Sequence, residues 1–383
     1  MPLDYQRLRE IRHELHRRPE LSGDEAATAR RIAELSAELG ADEVVCGLGG
    51  EGVAAVVRGS ACAGPTILLR AELDALPIPD RSGADYAGDV DGVGHMCGHD
   101  GHMTMLLGAM NHLAGEKEKL RGRMVCLFQP AEETAQGARS VLEDPAFAPL
   151  RPDYAFALHN LPGFPLNSLI LRKGVFASAS RGLKVFLHGE TSHAGHPEDG
   201  RSPASAVSAL IDGLQGLPAL VTPLERAALV TVIHAQLGEV AFGTTPGEAV
   251  VMATLRAHHD AEVKRLCEDA QRLATATASA WALEYEVEWV EVFPSSINND
   301  RSVEQLETLA KELGLEVVRP TNPFPWSEDF GYILNAFPGA LFGLGSGVGH
   351  PQLHSSRYDF PDELLETGVR LWSSLIRRLL ATP

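Results

Sequence analysis

The apolar runs TILLRA (66–71), MVCLF (124–128) and YAFAL (154–158) decide the fold. Each run is short, rich in residues that favour β-strands, and followed directly by a polar side chain. A helical pattern at about 101–114 separates the first two runs, and another follows Pro130. Because strands that alternate with helices form mostly parallel sheets covered by those helices, the expected class is α/β.

A second pattern begins near residue 180. It runs strand (LKVFL), helix (203–217), strand (ALVTVI), strand (EAVVMATLR), helix (261–280) and strand (YEVEWVEV). This order is the β-α-β-β-α-β unit of a ferredoxin-like α+β domain. After Pro294 the chain returns to α/β character, ending in a helix at 362–380. We therefore predict an inserted small domain at 179–292, which splits a larger α/β domain into residues 1–178 and 293–383.

The N-terminal segment predicts two helices ahead of the sheet. The first has an apolar face at helical spacing and stops at Pro19. Ser22 and Glu25 match a Ser-x-x-Glu capping box before the second helix.

Composition restricts the class of partner and the compartment. Fifty-one acidic residues against 33 Lys and Arg give a formal charge of −18, so we expect no nucleic-acid or membrane partner. The five cysteines are odd in number and lack a C-x-x-C pair, which favours a reducing cytoplasm. The charged N-terminus and the absence of an 18-residue apolar run predict neither an export signal nor a membrane span.

Metal-binding residue types follow the predicted strands, and ligands of open α/β sheets bind beyond the carboxyl ends of strands. The strand ends lead into Glu72 and Asp74, into Gln129, Glu132 and Glu133, and into His159.

The segment HMCGHDGH (95–102) adds a thiol and imidazoles just before the helix at 101–114. Asp100 is expected to cap that helix, leaving Cys97 and His99 on the preceding loop. A thiolate, imidazoles and carboxylates in one crevice suit zinc or another first-row divalent metal. Each residue alone is more often inert, and we assign His95 and His102 to positions beside the ligands or on the helix face.

Seven motifs in order resemble one known family: RAELDALP (70–77), HMCGHDGH (95–102), FQPAEE (128–133), LHN (158–160), SHAGHP (192–197), SEDFG (327–331) and LHSSRYDFPDE (353–363). They resemble the amidohydrolase subfamily of the zinc aminoacylase/carboxypeptidase superfamily, which includes hippurate hydrolase, indole-acetyl-amino-acid hydrolase and N-acetyl-diaminopimelate deacetylase. The resemblance runs from HRRPELSGDE (16–25) to the C-terminal helix.

The resemblance implies a site and an assembly. Five residues would bind two divalent metal ions, with zinc favoured over manganese, cobalt or nickel: Cys97, His99, Glu133, His159 and His354. Glu132 matches the general base, and Asp74 matches a residue that orients the ligands. His193 matches a lid histidine that reaches the partner subunit's active site, and Arg256 matches a lid arginine facing the substrate carboxylate. The inserted domain would then be a lid and dimerisation domain in a homodimer.

Three positions depart from the family pattern. Glu72 stands where Asp is usual, Glu198 replaces a second histidine, and Gly243 replaces an asparagine. Loss of the asparagine amide removes a donor expected to contact the substrate, and PFPW (323–326) indicates an altered pocket. The metal motifs are thus intact, whereas the substrate motifs are changed.

The implied activity is metal-dependent hydrolysis of an amide bond in an N-acyl amino acid or a related small amide. A dipeptidase, an aryl-amide hydrolase or a one-metal site of the same fold are the alternatives. A non-catalytic metal-binding protein is more remote, because the base and all five ligand positions are present.

Two glycine-rich segments suggest other enzyme classes. GLGGEG (47–52) matches G-x-G-x-x-G but precedes a strand rather than a helix, so a hairpin turn is expected instead of a dinucleotide site. GLGSGVG (343–349) has Leu344 where a serine hydrolase elbow needs glycine.

Overall fold

The computed structural model describes residues 4–88, 90–223 and 225–381. They form two compact units. The first unit comprises the chain up to Phe176, Ser296–Asn322 and the chain from Glu328 onward, and the second comprises Ala177–Ser295 and Pro323–Ser327.

The elements before the second unit are α1 (Tyr5–His16), α2 (Ala26–Glu38), β1 (Glu43–Leu48), β2 (Gly52–Arg58), β3 (Ala61–Glu72), α3 (His99–Ala114), β4 (Arg121–Gln129), α4 (Gly137–Glu143), β5 (Tyr154–Leu161), β6 (Leu169–Ile170) and β7 (Gly174–Ala177). The second unit contains β8 (Ala179–His188), α5 (Ala204–Val221), β9 (Ala228–Leu237), β10 (Glu248–Ala257), α6 (Asp260–Ala280) and β11 (Glu284–Phe293). The chain continues with β12 (Ser296–Asn298), α7 (Asp300–Leu313), β13 (Val317–Val318), α8 (Gly331–Ala336), β14 (Gly339–Gly345) and α9 (Glu363–Leu380).

The central sheet of the first unit has the order β1-β2-β4-β3-β5-β14-β6-β13. Its middle strands, β4, β3, β5 and β14, pair in parallel. β4, β5 and β14 are buried along almost their whole length, and β3 is buried from Thr66 onward, as strands covered on both faces must be. The α/β class with a mostly parallel sheet is confirmed.

The first two strands form an antiparallel hairpin at one end of this sheet. Leu48 pairs with Gly52, so GLGGEG turns the chain between β1 and β2. The predicted hairpin is confirmed, and no helix follows the glycines.

Two predicted helix caps are wrong. Helix α3 begins at His99 with Gly98 as its N-cap, and the Asp100 carboxylate instead binds Arg12 and His16 at 3.1 and 2.8 Å. Ser22 does not cap α2 but donates to Asp74 at 2.7 Å. In both cases the helix begins at a residue other than the expected one, with Gly98 and Glu25 as the N-caps, and the expected cap side chain binds a buried group far along the chain.

The sheet of the second unit is antiparallel, with the order β11-β8-β10-β9. Helices α5 and α6 pack on one face and share an apolar core with it. This arrangement confirms the ferredoxin-like prediction. Among the described residues, α5 is long and apolar enough to cross a membrane by length and composition, yet Leu210 and Leu214 face this core.

The segment Pro323–Ser327 belongs to the second unit rather than to the larger one. The Ser178 amide donates to the carbonyls of Phe324 and Trp326, at 3.1 and 3.0 Å. These bonds attach the PFPW segment beside the start of β8.

His16 makes the stability of the first unit depend on pH. Burial disfavours its charged form, but the carboxylates of Asp100 and Asp80 outweigh this and raise the pKa of His16 to about 9. The stabilisation is complete below the unfolded pKa of about 6.5 and is lost as the pH rises through about 9. We expect the free energy of unfolding to fall by roughly 3 kcal/mol across that window.

Urea unfolding at pH 6 and pH 9.5 measures this slope, and His16→Gln provides the comparison. The variant should show a much flatter slope, since Gln does not titrate. An equal slope in both proteins would show that other groups cause the pH dependence.

Candidate metal centre

Side chains from several elements of the first unit meet at the carboxyl ends of the parallel strands. Their possible ligand atoms form groups within 4.8 Å of one another: Cys97 with His99 and His159, Cys97 with Glu133 and His354, and His99 with Glu132 and Glu133. Cys97, His99 and Glu133 each belong to two of these groups. All five expected ligands and the expected base are therefore brought together.

Gly98 allows the ligand loop to turn between Cys97 and His99. Its φ is +91°, a conformation that L side chains rarely adopt, and a Cβ there would lie 2.5 Å from the Asn160 side-chain oxygen. Glycine is the residue that fits this turn, which presents Cys97 just before α3 and His99 in its first turn.

Backbone carbonyls orient two of the imidazoles. Nδ1 of His159 lies 2.9 Å from the Asn160 carbonyl, and Nδ1 of His99 lies 2.8 Å from the Asp74 carbonyl. A carbonyl only accepts, so both Nδ1 atoms carry a proton. The Nε2 atoms then face the centre, where that of His159 is 3.5 Å from the Cys97 sulfur.

Unpaired polar atoms show that these residues fit a divalent metal. His99 Nε2 and Glu133 Oε1 are buried without a hydrogen-bond partner among the described residues, although buried polar atoms are normally paired. Burial and the carboxylates of Glu133 and Glu132 raise the pKa of the Cys97 thiol well above its usual value. A cation at this position would compensate the thiolate and accept the lone pairs of all three side chains.

The two buried imidazoles His99 and His159 have pKa values shifted in opposite directions. Burial opposes a charge on His99, but the carboxylates of Glu72, Asp74 and Glu133 prevail and raise its pKa to about 10. Burial lowers the pKa of His159 to about 3, with His102 acting in the same direction. The negative field is thus concentrated around His99, where it also favours a bound cation.

Asp74 lies behind the ligands. Its Oδ2 accepts from the Glu133 amide at 3.0 Å and from the Ser22 hydroxyl, while Oδ1 is 3.4 Å from His99 Nδ1. The Asp74 carboxylate therefore contacts two expected ligand residues, the ring of His99 and the backbone amide of Glu133.

His354 approaches from a loop rather than from a strand end. Its Nε2 is 3.5 Å from Glu133 Oε1, and its φ of +62° is unusual for a non-glycine residue. The side chain is 51% exposed, whereas the other expected imidazoles are buried. Strain of this kind clusters at functional sites.

The surroundings of Glu132 disfavour its charged form. Burial, together with the nearby carboxylates of Glu328 and Glu133, raises its pKa well above the usual range. A carboxylate in such surroundings accepts a proton readily, as a general base must.

Sequence reasoning assigned no role to the buried cation beside Glu132. Arg70 is fully buried and pairs with Glu72, with Glu328 at 2.8 Å and with Asp329 at 2.9 Å. The motifs RAELDALP and SEDFG contain all four residues, but nothing in their spacing shows that they meet. His102, placed beside the ligands, contacts Glu72 Oε2 at 2.7 Å through Nδ1.

The two residues expected to act from a lid, His193 and Arg256, lie in the second unit. His193 is exposed, and its Nδ1 accepts from the Gly195 amide at 3.0 Å, which leaves the proton on Nε2. The backbone of His193 forms a bridge with Thr244, and the Ala194 amide donates to the Gly243 carbonyl. The loop of His193 is therefore held by the loop that carries Gly243.

Arg256 lies on β10. Its Nη1 donates to the Pro325 carbonyl at 3.4 Å and to the Ser327 hydroxyl at 3.0 Å. The rings of Phe324 and Trp326 stack at a centroid distance of 5.0 Å. The Arg256 guanidinium thus binds the segment 325–327, and the stacked residues Phe324 and Trp326 flank its partner Pro325 in the sequence.

Packing requires neither the glycine at position 243 nor the glutamate at position 198, the two departures from the family's substrate motifs. A Cβ at Gly243 would meet no atom within 4 Å. Glu198 is exposed, and its Oε1 lies 3.3 Å from Nδ1 of His196, which is exposed as well.

This donor set on an α/β sheet with an inserted ferredoxin-like unit defines a metal-dependent hydrolase. The chain belongs to the peptidase family M20/M25/M40, whose model matches residues 68–378. It is 32% identical over 373 residues to hippurate hydrolase of Campylobacter jejuni, covering 97% of this chain and 96% of that protein. It is 33% identical to N-acetyl-L-cysteine deacetylase of Bacillus subtilis, with coverage of 96% and 87%.

Solved structures agree with these relatives. A dinuclear metal-binding peptidase of the M20 family from Bacillus subtilis superposes with a TM-score of 0.81, at 27% identity and 98% coverage of both chains. A putative aminohydrolase from Staphylococcus aureus gives a TM-score of 0.86 at 26% identity, covering 98% of this chain and 97% of that chain. The predicted class, a metal-dependent amidohydrolase, is confirmed.

Proposed function

We propose that this protein hydrolyses the amide bond of N-acyl amino acids, with Glu132 as the general base. The observation that carries the proposal is the group formed by Glu132, Glu133 and His99, in which a basic carboxylate adjoins two expected ligands. Named relatives act on N-acyl compounds of this kind, hippurate and N-acetylcysteine among them.

Cys97, His99, Glu133, His159 and His354 would hold two divalent metal ions, and the Cys97 thiolate favours zinc over magnesium or calcium. Bound metal lowers the pKa of water and polarises a carbonyl oxygen. Glu132 takes the proton of the attacking water and later delivers it to the nitrogen of the leaving amine, which cannot depart as an anion. Proton transfer of this kind contributes about 10²–10⁴-fold in rate.

Amine release from a substrate panel tests the activity. The panel contains N-acyl amino acids, dipeptides and amides without a carboxylate, each assayed with zinc-loaded and chelator-stripped protein. We expect release from N-acyl amino acids only with metal, because bound metal lowers the pKa of water and polarises the amide carbonyl. Release that persists after stripping, or no release from any amide by the loaded protein, would contradict the proposal.

Gly243→Asn is a matched variant for the same panel. We propose that the missing amide weakens recognition of the substrate carboxylate, and the absence of any atom within 4 Å of a Cβ at Gly243 supports the use of a larger residue there as a test. The variant should shift preference toward substrates that carry an α-carboxylate, through Arg256 and the restored amide.

We further propose a homodimer formed through the second unit, in which His193 serves the partner's site. Strand β9 is at the edge of its sheet and exposes Leu229 and Ile233, and Val240 and Phe242 beyond it are fully exposed. An open strand edge beside exposed apolar side chains is a typical pairing surface.

Mixed dimers test whether His193 acts across subunits. His193→Ala and Glu132→Gln homodimers should both be nearly inactive, because each lacks one group of every site. A dimer with one subunit of each kind keeps one complete site if His193 acts on the partner, so about half of the wild-type activity should return. No recovery in purified mixed dimers would exclude sharing.

We also propose that the protein works in the cytoplasm. The free thiols of Cys46, Cys97, Cys126 and Cys267 support this, because a reducing compartment keeps the expected ligand Cys97 available as a thiolate.

A further inference from the structure

We propose that Asp329 and Glu25 are positioning residues that hold the loop carrying Glu132 and Glu133 in its working conformation. The proposal rests on the function proposed above, since it assigns these two carboxylates to the presentation of its base. Neither residue belongs to the expected ligand set.

Asp329 contacts both ends of this loop, which joins β4 to α4. At the start of the loop, the Gln129 side-chain amide donates to both carboxylate oxygens of Asp329 at 2.9 Å. At its end, the Ala138 amide donates to Asp329 Oδ2 at 2.8 Å. One buried carboxylate therefore closes the loop that contains Glu132 and Glu133.

The backbone of this loop is strained and its two ends are in close contact. Ala131 and Ala135 have φ values of +47° and +61°, which cost energy in non-glycine residues. A Cβ at Gly137 would overlap the Pro130 carbonyl oxygen, so the two ends of the loop touch. Such strain persists only where surrounding bonds impose it.

Glu25 accepts a hydrogen bond from the loop backbone just before Glu132. Its Oε1 accepts from the Ala131 amide at 2.7 Å, and its Oε2 accepts from the Gly23 amide at 2.9 Å. Ala131 directly precedes Glu132 in the chain. The expected base is thus flanked by a fixed residue on one side and, on the other, by Glu133, whose amide Asp74 holds.

Asp329 is itself immobilised by a cation. Arg70 donates to its Oδ1 at 2.9 Å and to the Gln129 side-chain oxygen at 2.9 Å. Arg70, Gln129 and Asp329 form a closed triangle in which every pair is hydrogen-bonded. Asp329 therefore links the end of the loop, at Ala138, to side chains fixed on the strands β3 and β4.

Asp329→Asn breaks this arrangement with almost no change of volume. In either amide orientation, the new NH₂ faces two donors: Arg70 and Gln129 at one oxygen position, or Gln129 and Ala138 at the other. We expect kcat to fall by about 10–100-fold, since a displacement of about 1 Å costs up to 10² in rate. KM should stay within about threefold, because a displaced loop base affects the chemical step rather than substrate binding. Zinc content is measured on the same preparation and kcat is expressed per zinc-loaded site, because Glu133 moves with the loop.

Gln129→Glu in the same chain provides the rescue. The double variant has the net charge of the parent, and the asparagine introduced at position 329 donates to the carboxylate introduced at position 129 while still accepting from Ala138. Arg70 keeps a carboxylate partner at position 129. The NH₂ at the former Oδ1 position still faces Arg70, so the double variant should recover part of the lost kcat rather than all of it. No recovery at all would show that the bond between positions 129 and 329 does not hold the loop.

Amide hydrogen exchange separates failure of this proposal from failure of the proposed function, because it needs no turnover. Exchange across residues 129–138 should accelerate in Asp329→Asn while the strands β3 and β5 stay protected. Equal acceleration throughout the first unit would mark a general structural role and overturn the proposal. Unchanged kcat together with unchanged exchange would overturn it as well, whatever substrate the wild type prefers.

Glu25→Gln is an independent second variant, should Asp329→Asn unfold. One of its two backbone donors must face the new NH₂, so a smaller loss of kcat is expected, with faster exchange at Ala131. Glu143→Gln is the matched control, because Glu143 is exposed on α4 and its carboxylate pairs with Arg139 on the same helix. A Glu25→Gln protein that behaves like this control would contradict the role of Glu25.

Discussion

Glu132→Gln is expected to lower kcat by about 10³-fold or more while leaving the metal content unchanged. Gln has nearly the same shape as Glu, but its amide takes no proton from water and delivers none to the leaving amine. General acid–base transfer alone is worth about 10²–10⁴-fold, and here one carboxylate serves in both steps. Steady-state kinetics on the preferred N-acyl substrate and metal analysis of the same preparation measure the two quantities.

Glu133→Gln is the comparison for this experiment, since it changes the neighbouring carboxylate in the same way. Glu133 shares groups with Cys97, His354 and His99, so its loss should reduce metal content together with activity. A Glu132→Gln protein that retains turnover would exclude Glu132 as the base. Loss of metal from that variant would instead assign it to the ligands.

Arg70→Met is expected to destabilise the first unit by roughly 3–5 kcal/mol. The methionine fills similar volume, but it leaves the buried carboxylates of Glu72, Glu328 and Asp329 without their cation. Burying uncompensated charge is the costly part of breaking a buried ion pair. Urea unfolding of the wild type and the variant, in the same metal state, measures the difference.

Arg58→Met is the matched control for this prediction. Arg58 also lies on a strand and pairs with a glutamate, Glu43, but both side chains are largely exposed. A surface pair of this kind contributes about 0–1 kcal/mol. If Arg70→Met costs no more than Arg58→Met, the cluster around Arg70 does not stabilise the unit.

Local patterns in the sequence determined the architecture. Alternating apolar runs and helical patterns specify an α/β sheet, and the order of elements between about 180 and 292 specifies the ferredoxin-like unit. The turn at GLGGEG followed from the strand after it. These features are predictable because periodicity and turn chemistry act over a few residues, and burial of the resulting apolar faces leaves few alternative folds.

Part of the candidate site was also readable from the sequence, because Glu132, Glu133 and His159 follow strands whose carboxyl ends meet at one edge, whereas His354 lies on a loop and was indicated only by the family resemblance. The supports of these residues were not readable. Asp100 and Ser22 were expected to cap helices, but they bind Arg12, His16 and Asp74 instead. Local spacing favours the cap, and the buried charge that prevails over it lies far along the chain.

The network that holds Glu132 shows the same limit most clearly. Arg70 and Asp329 are 259 positions apart, and Glu25 and Ala131 are 106 apart, yet each pair is hydrogen-bonded in the folded chain. Sequence alone determined which elements form and which of them end in ligand-type residues. Only the tertiary structure decided which carboxylates pair with the buried arginine and the loop amides, because hydrogen bonds between distant segments depend on how the elements pack.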